Sequence, residues 1–299
     1  MPVNSTLSKV SIILPTYNRA SYILEAIDSV RNQTYPNWEL LIIDDGSKDN
    51  TVELVTQIPD ERVKLYKTAS RLGITGTRNE GLRKVNGDLI AFIDSDDLWA
   101  PEKLEKQVAA LSEYPDAAFS LTGGYNFRKQ AEPVEFFYKQ TEGVKYGDLL
   151  IPIFKSEVAT PTPSLLFRKE CLEKIAFFNE TKLFADADFI ITLARYYKGV
   201  VLYESLFYRR LHDSNISSGQ WVKGYEEGIR LIHSYKNILP GEVTRNALFK
   251  LYINSGEDHL AHNQKTKALR QFLKAWTVRP FSIIPFKKMA KTFLRSSKK

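Results

Sequence analysis

The stretch Ile90-Ala91-Phe92-Ile93-Asp94-Ser95-Asp96-Asp97 sets four apolar residues directly before three carboxylates in four positions. The apolar run reads as a buried strand, and the acidic residues fall where that strand ends. Two unit charges about 5 Å apart repel by roughly 3 kcal/mol at an effective dielectric near 20. Such a cluster raises its own pKa values, splays into water or holds a cation. Hard oxygen ligands suit Mg²⁺ or Mn²⁺, ions that bridge carboxylates to a substrate diphosphate. In an open α/β sheet, ligands sit beyond the carboxyl ends of the strands. The expectation is a divalent metal at this strand end and, through it, a nucleotide diphosphate. Asp and Ser also make plain turns and caps, and Pro101 opens a helical pattern nearby, so the neighbouring elements have to decide.

Working outward, strand-like and helix-like stretches alternate. Val10 to Leu14 is a near-continuous apolar run ending in Pro15-Thr16-Tyr17-Asn18-Arg19. Tyr22, Ile23, Ala26, Ile27 and Val30 then recur at helical spacing. Trp38 to Ile43 is a second strand, ending in Asp44-Asp45-Gly46-Ser47. Asp49-Asn50-Thr51 suits the cap of a helix carrying Val52, Leu54 and Val55. Val63 to Tyr66 reads as a short strand, Gly73 to Gly76 as a loop, and Arg78 to Val85 as a helix. Downstream, a helix follows Pro101, a strand covers Ala117 to Leu121, and residues 124–165 read as irregular, with four prolines. Short strands at Leu165–Phe167 and within Gly199–Tyr208 flank a helix that starts near Asp186, and from Trp221 the pattern is helical. This alternation predicts a doubly wound α/β sheet.

Composition narrows the classes. A chain of 299 residues with 43% hydrophobic and 26% charged residues can bury a full globular core. The single cysteine, Cys171, excludes an internal disulfide and fits a reducing compartment. The N-terminus carries no signal pattern, and no apolar run reaches the roughly 18 residues of a membrane span. These features lead us to expect a cytoplasmic protein. The net charge of +7 is not uniform: residues 259–299 hold eleven Lys and Arg and no Asp or Glu, leaving 31 basic against 35 acidic residues before them. The basicity therefore describes the tail.

Three strand ends thus carry polar groups, and parallel strands of one sheet would bring them to one edge. At this point the chain resembles the family 2 glycosyltransferases of GT-A fold. The resemblance rests on V-S-I-I-L-P-T-Y-N-R at 10–19, N-Q-T-Y-P-N-W-E-L-L-I-I-D-D-G-S-K-D-N-T at 32–51 and G-I-T-G-T-R-N-E-G-L at 73–82. It continues in G-D-L-I-A-F-I-D-S-D-D at 87–97 and Y-R-R-L-H at 208–212. It implies a GT-A-type doubly wound mixed sheet over residues 1–218, binding a nucleotide-sugar, with a helical, basic appendage over 219–299. It also implies inverting transfer of a sugar, UDP-linked by expectation, to a hydroxyl of a glycan or lipid-linked acceptor. Residue by residue, it places Pro15 and Tyr17 near the base, Asp45 on the base, Arg78 near the donor, and Asp94 with Ser95 near the ribose. Asp96, with Asp97 and His212 as further candidates, would ligate Mn²⁺ or Mg²⁺. Asp186 aligns with the general base, although the Glu that precedes this base in the family is Ala185 here. Asp186 also fits a plain N-cap, Asp188 is the fallback base, and Arg209 and Arg210 suit either phosphate or a solvated edge.

Two other functions compete. A sugar-phosphate nucleotidyltransferase would show a glycine-rich loop after the first strand, where Pro15 to Arg19 has no glycine. A non-catalytic nucleotide-sugar-binding scaffold has only Ala185 in its favour. In the tail, Ala268, Phe272, Leu273 and Trp276 lie at helical spacing among Lys265, Lys267, Arg270 and Lys274, ahead of Phe281, Ile283, Ile284 and Phe286. That mixture suits either peripheral contact with the inner face of the plasma membrane or helices packed on the catalytic part with a solvated basic face. No nucleic-acid-binding motif is present, so nucleic acid is not an expected partner.

Overall fold

The computed structural model describes residues 7–128, 132–138, 142–182, 184–212 and 221–294. Its first half alternates β1 (Val10–Thr16), α1 (Ile23–Arg31), β2 (Trp38–Asp44), α2 (Thr51–Thr56), β3 (Val63–Lys67), α3 (Gly73–Leu82) and β4 (Leu89–Phe92). β1, β2 and β4 are buried at every position, as strands covered on both faces must be, which is why they read as unbroken apolar runs. α1 buries Ile23, Ala26, Ile27 and Val30, the stripe its spacing predicts. β1 runs parallel between β2 and β4, and β3 extends the parallel set beyond β2. All four therefore leave the sheet at one edge.

The chain continues through β5 (Leu98–Trp99), α4 (Lys103–Glu113), β6 (Ala117–Phe127), β7 (Pro133–Phe136), β8 (Val144–Gly147), α5 (Leu150–Phe154), β9 (Leu166–Arg168), α6 (Ala185–Tyr196) and β10 (Lys198–Arg210). The sheet order is β3-β2-β1-β4-β9-β6-β10-β5, with β7 on β6 and β8 on β10. β9 is antiparallel to both β4 and β6, whereas β6 and β10 are parallel, so the sheet is mixed as expected.

Three local expectations are corrected. Gly73 to Gly76 is the first turn of α3 rather than a loop. Glycine lowers helix propensity, but here it serves packing: a Cβ at Gly81, further along the helix, would lie 2.5 Å from Ile13 Cγ2, so α3 lies close on β1. β6 runs on to Phe127, past Gly123-Gly124, because bare backbone at those positions lets the β10 backbone approach. Residues 124–165, read as irregular, contain β7, β8 and α5.

The chain forms two compact units. The sheet unit comprises Met1–Leu150, Val158–Thr181 and Ala185–Asn215; the other comprises Ile151–Glu157, Lys182–Phe184 and Ile216–Lys299. The expected boundary after residue 218 lies outside the described residues. The second unit is helical: α7 (Trp221–Ser234), α8 (Gly241–Ala261), α9 (Lys265–Val278) and α10 (Ile284–Leu294). Phe249 and Ile253 of α8 pack with Ala268, Phe272 and Ala275 of α9. Gly256 makes room for this, since a Cβ there would collide with the Phe272 ring. Among the described residues, no helix is long and apolar enough to cross a membrane.

Candidate active site

The loops after β1 and β2 are tied together. Asn18, in the left-handed region at φ 50°, donates its N–H to Ser47 Oγ (2.9 Å) and accepts the Lys48 N–H on Oδ1 (2.8 Å). The Arg19 N–H reaches Thr51 Oγ1 at 2.8 Å and the Ala20 N–H reaches Asp49 Oδ2 at 3.1 Å. Asp44 folds the turn that follows it by accepting the N–H groups of Gly46 and Ser47, and Gly46 supplies the required φ of +84°. Asp45 is buried. It accepts the N–H groups of Leu72 (2.7 Å) and Gly73 (2.9 Å) and the Thr68 hydroxyl (3.2 Å), and so caps the start of α3. Pro15 lies buried within β1, opposite Ile43 of β2. Tyr17 lies under the Arg71 guanidinium, whose carbon is 3.9 Å from the ring centroid.

At the exit of β4, Asp94 to Asp97 form a turn in which the Asp97 N–H donates to the Asp94 carbonyl (3.1 Å). Ser95 is buried in it. The three carboxylates go to three different partners, and those of Asp94 and Asp96 include cations. Asp94 Oδ1 accepts Arg78 Nη2 at 2.6 Å. Asp96 Oδ2 lies 2.9 Å from His212 Nε2 and 3.4 Å from Arg19 Nε. Asp97 Oδ1 accepts the Arg210 N–H at 3.0 Å. Burial raises the Asp94 carboxyl above its ordinary range; Asp96 and Asp186 add to the rise and Arg78 opposes it. Burial, then Asp94 and Asp96, push the Asp97 carboxyl well above the usual carboxylate range.

Arg78 joins the β4 exit to α6. Its side chain is 2% exposed, and its second nitrogen, Nη1, bonds Asp186 Oδ1. Against the desolvation that burial imposes, the charges of Asp186 and Asp94 hold the guanidinium above its ordinary pKa. Asp186 lies within the first turn of α6, and its side chain is 39% exposed. The adjacent Asn79 clamps the segment leading to α6: Nδ2 donates to the Phe178 carbonyl (2.9 Å) and to Glu180 (2.8 Å), and Oδ1 accepts the Phe178 N–H (2.9 Å). One turn of α3 thus positions both the bridging arginine and the approach to α6.

His212 stacks on Tyr22, with centroids 5.1 Å apart and planes 18° from parallel. Arg210 is braced rather than loosely solvated. It donates to the Asp96 carbonyl (3.0 Å) and Glu25 (2.7 Å) and lies over the rings of Tyr22 and Phe127. Arg19, Tyr22, Arg71 and Asn79 therefore belong to the site without having been singled out from the sequence. Arg19 and Asn79 stand inside the quoted motifs, so their positions were available as a signal, but their partners were not. A separate cleft of about 660 Å³, lined by Leu82, Asp88, Leu89, Arg168 and Lys169 among others, opens at the entry end of β4, opposite the carboxylates.

Carboxylates thus gather at the exits of a mixed, mostly parallel sheet, with arginines and a histidine among them. The chain belongs to glycosyl transferase family 2, whose pattern matches residues 11–175. It is 32% identical over 217 residues to TuaG, a glycosyltransferase assigned to teichuronic acid biosynthesis in Bacillus subtilis (strain 168), a match covering 71% of this chain and 82% of TuaG. It is 47% identical over 102 residues to the Escherichia coli UDP-Glc:alpha-D-GlcNAc-diphosphoundecaprenol beta-1,3-glucosyltransferase WfgD, covering 34% of this chain and 40% of that protein. In fold it is similar to S. aureus TarS 1-349, with a TM-score of 0.68 at 20% identity over 95% of this chain and 89% of that one. It is also similar to the mannosyltransferase PcManGT from Pyrobaculum calidifontis in complex with GDP-Man and Mn²⁺, with a TM-score of 0.62 at 20% identity over 99% and 82% of the two chains. The chain is accordingly a glycosyltransferase, and the nucleotidyltransferase and scaffold readings are set aside.

Proposed function

We propose that the enzyme transfers a sugar from a UDP-sugar to a hydroxyl of a glycan or lipid-linked acceptor, in one displacement that inverts the anomeric centre. The observation that carries this reading is Arg78, which ties the carboxylate of Asp94, at the β4 exit, to that of Asp186 on α6. A single displacement needs a base on the face of the sugar opposite the departing diphosphate. Asp186 Oδ1 is occupied by Arg78, which fixes the carboxylate's orientation, and Oδ2 accepts the acceptor's proton. Asp94 and Ser95 hold the donor's ribose, and Tyr17, Pro15 and Asp45 form the base end of the pocket. UDP rather than another nucleotide is favoured by the donor in the name of WfgD, and the same name offers a lipid-diphosphate-linked sugar as the acceptor class.

Among the described residues, no three His, Cys, Asp or Glu side chains are grouped to enclose an ion. Asp96 Oδ2 and His212 Nε2 nevertheless converge within 2.9 Å; the oxygen suits Mn²⁺ or Mg²⁺ and the imidazole nitrogen favours the softer Mn²⁺, with diphosphate and water to supply the other ligands. The pair fits a metal held jointly with substrate. Bound there, a divalent cation would neutralise the charge that grows on the departing diphosphate. Asp97, committed to the Arg210 N–H, fixes the strand that leads to His212.

The test is Asp186→Asn, assayed for transfer and for donor binding. Transfer should fall by about 10²–10⁴-fold while UDP-sugar affinity holds within a factor of about two. NMR of the wild-type product should show the inverted anomer. Retained configuration, or full activity in the variant, would overturn the assignment.

A further inference from the structure

α9 directs Ala268, Phe272 and Ala275 inward against α8. Val278 also packs on that cluster, whereas two large apolar residues of α9 do not. Leu273 and Trp276 are exposed, and the turn into α10 leaves Phe281 fully exposed (102%) and Ile283 63% exposed, with Ile284 and Phe286 exposed beyond them. Two of them meet across the turn: the Trp276 and Phe286 rings lie edge to face at 5.5 Å, and Trp276 Nε1–H donates to the Pro280 carbonyl at 2.8 Å. So many exposed aromatic and aliphatic side chains within residues 273–286 mark an interaction surface rather than ordinary solvent-facing chain.

The surrounding charge selects the partner. Residues 259–299 hold eleven Lys and Arg and no Asp or Glu. Exposed Lys274 follows Leu273, and exposed Lys287 follows Phe286. A second copy presenting the same corner would set like charges against each other. An anionic headgroup layer instead offers Lys274 and Lys287 counter-charges, while Phe281, Ile283 and Phe286 enter the acyl boundary and Trp276 takes the interfacial position its ring prefers. We propose that the α9–α10 corner docks on an anionic lipid bilayer surface. The proposal concerns the helical unit alone and is independent of the assignments in the sheet unit.

The experiment is flotation of the full chain with vesicles of phosphatidylglycerol and phosphatidylethanolamine, against vesicles of phosphatidylcholine. The variant is Phe281→Ser/Phe286→Ser, with its fold checked by circular dichroism. The wild type should float with anionic vesicles, bind phosphatidylcholine far more weakly, and lose binding as salt rises from about 0.05 to 0.5 M. The double variant should lose at least about tenfold in partitioning while its sugar-transfer activity on a water-soluble acceptor is unchanged. Absence of flotation on anionic vesicles, equal binding to phosphatidylcholine, or flotation unaffected in the variant would each overturn the proposal. So would lipid-free self-association that the same variant abolishes, which would make the occupant a second copy.

Discussion

Glu39→Gln tests what holds β4 in place. Glu39 is buried in β2, opposite Ser11 of β1. It accepts Ser11 Oγ–H at 2.7 Å, Lys64 Nζ at 2.8 Å and Lys9 Nζ at 2.9 Å, and the Asn86 N–H at 3.2 Å. Ser11 Oγ also accepts the Gly87 N–H at 2.8 Å, so the network fixes the turn that enters β4. Desolvation works against the charged form, but the bonds from Lys64, Ser11, Lys9 and Asn86 outweigh it and lower the pKa from 4.5 to about 2. At about 1.4 kcal/mol per unit this corresponds to about 3 kcal/mol at neutral pH, and solvent access to the two lysines reduces it to about 2. A folded-state pKa below the unfolded one gives stability that is present above pH 4.5 and lost as pH falls towards 2. The variant should therefore be less stable than wild type by about 2 kcal/mol at pH 7, roughly 4 °C in Tm, with the gap closing progressively below pH about 4.5. Urea denaturation of both proteins across pH 7 to 3 measures this. A gap that stays constant over that range would refute the assignment of the stability to the Glu39 charge.

Three further outcomes are expected. Asp96→Asn and His212→Ala should each weaken Mn²⁺-dependent UDP binding by about 10–100-fold in calorimetry, with metal-free UDP binding little changed; unaltered metal dependence would contradict the paired-ligand assignment. Arg78→Met removes the cation between Asp94 and Asp186 and should destabilise the protein by about 3–5 kcal/mol, while Arg78→Lys, which cannot span both carboxylates, should keep most of the stability and lose most of the kcat; full activity in Arg78→Lys would contradict the bridging role. Lys103 is fully buried, with Nζ on Gln107 Oε1 (2.6 Å) and over the Trp99 ring, and burial lowers its pKa well below the ordinary value. The unfolded chain then holds this proton to higher pH than the folded chain does, so wild-type stability should rise with pH relative to Lys103→Met below the ordinary lysine value, by no more than about 1.4 kcal/mol per unit; a difference flat in pH would contradict the lowered lysine pKa.

The elements that sequence shows best are those whose burial is simplest. β1, β2 and β4 are enclosed on both faces, so their apolar runs are unbroken, and their exits assemble Asp45, Asp94 and Asp96 at one edge. Glycine obscured what it enables. Gly73 and Gly76 read as a loop although they open α3, and Gly123-Gly124 hid the second half of β6, because intrinsic propensity carries no information about a neighbouring backbone that needs the space. Pairings between distant residues were also hidden. The identity of Arg78 was visible, but its bridge from Asp94 to Asp186, residues 92 positions apart in sequence, depends on tertiary placement. The same holds for Arg19 beside Asp96 and for Arg71 over Tyr17. Asp45, expected at the nucleotide base, also caps α3 through Leu72 and Gly73, a second task that no motif records.

A crystal structure of the enzyme with Mn²⁺ and an unreactive UDP-sugar analogue decides whether the β4 exit and α6 act on one sugar. The manganese anomalous peak should lie within bonding distance of Asp96, His212 and the diphosphate, with the free oxygen of Asp186 facing the anomeric carbon from the side opposite the leaving oxygen. A metal bound away from Asp96, or an Asp186 carboxylate on the diphosphate's side of the sugar, would contradict this arrangement.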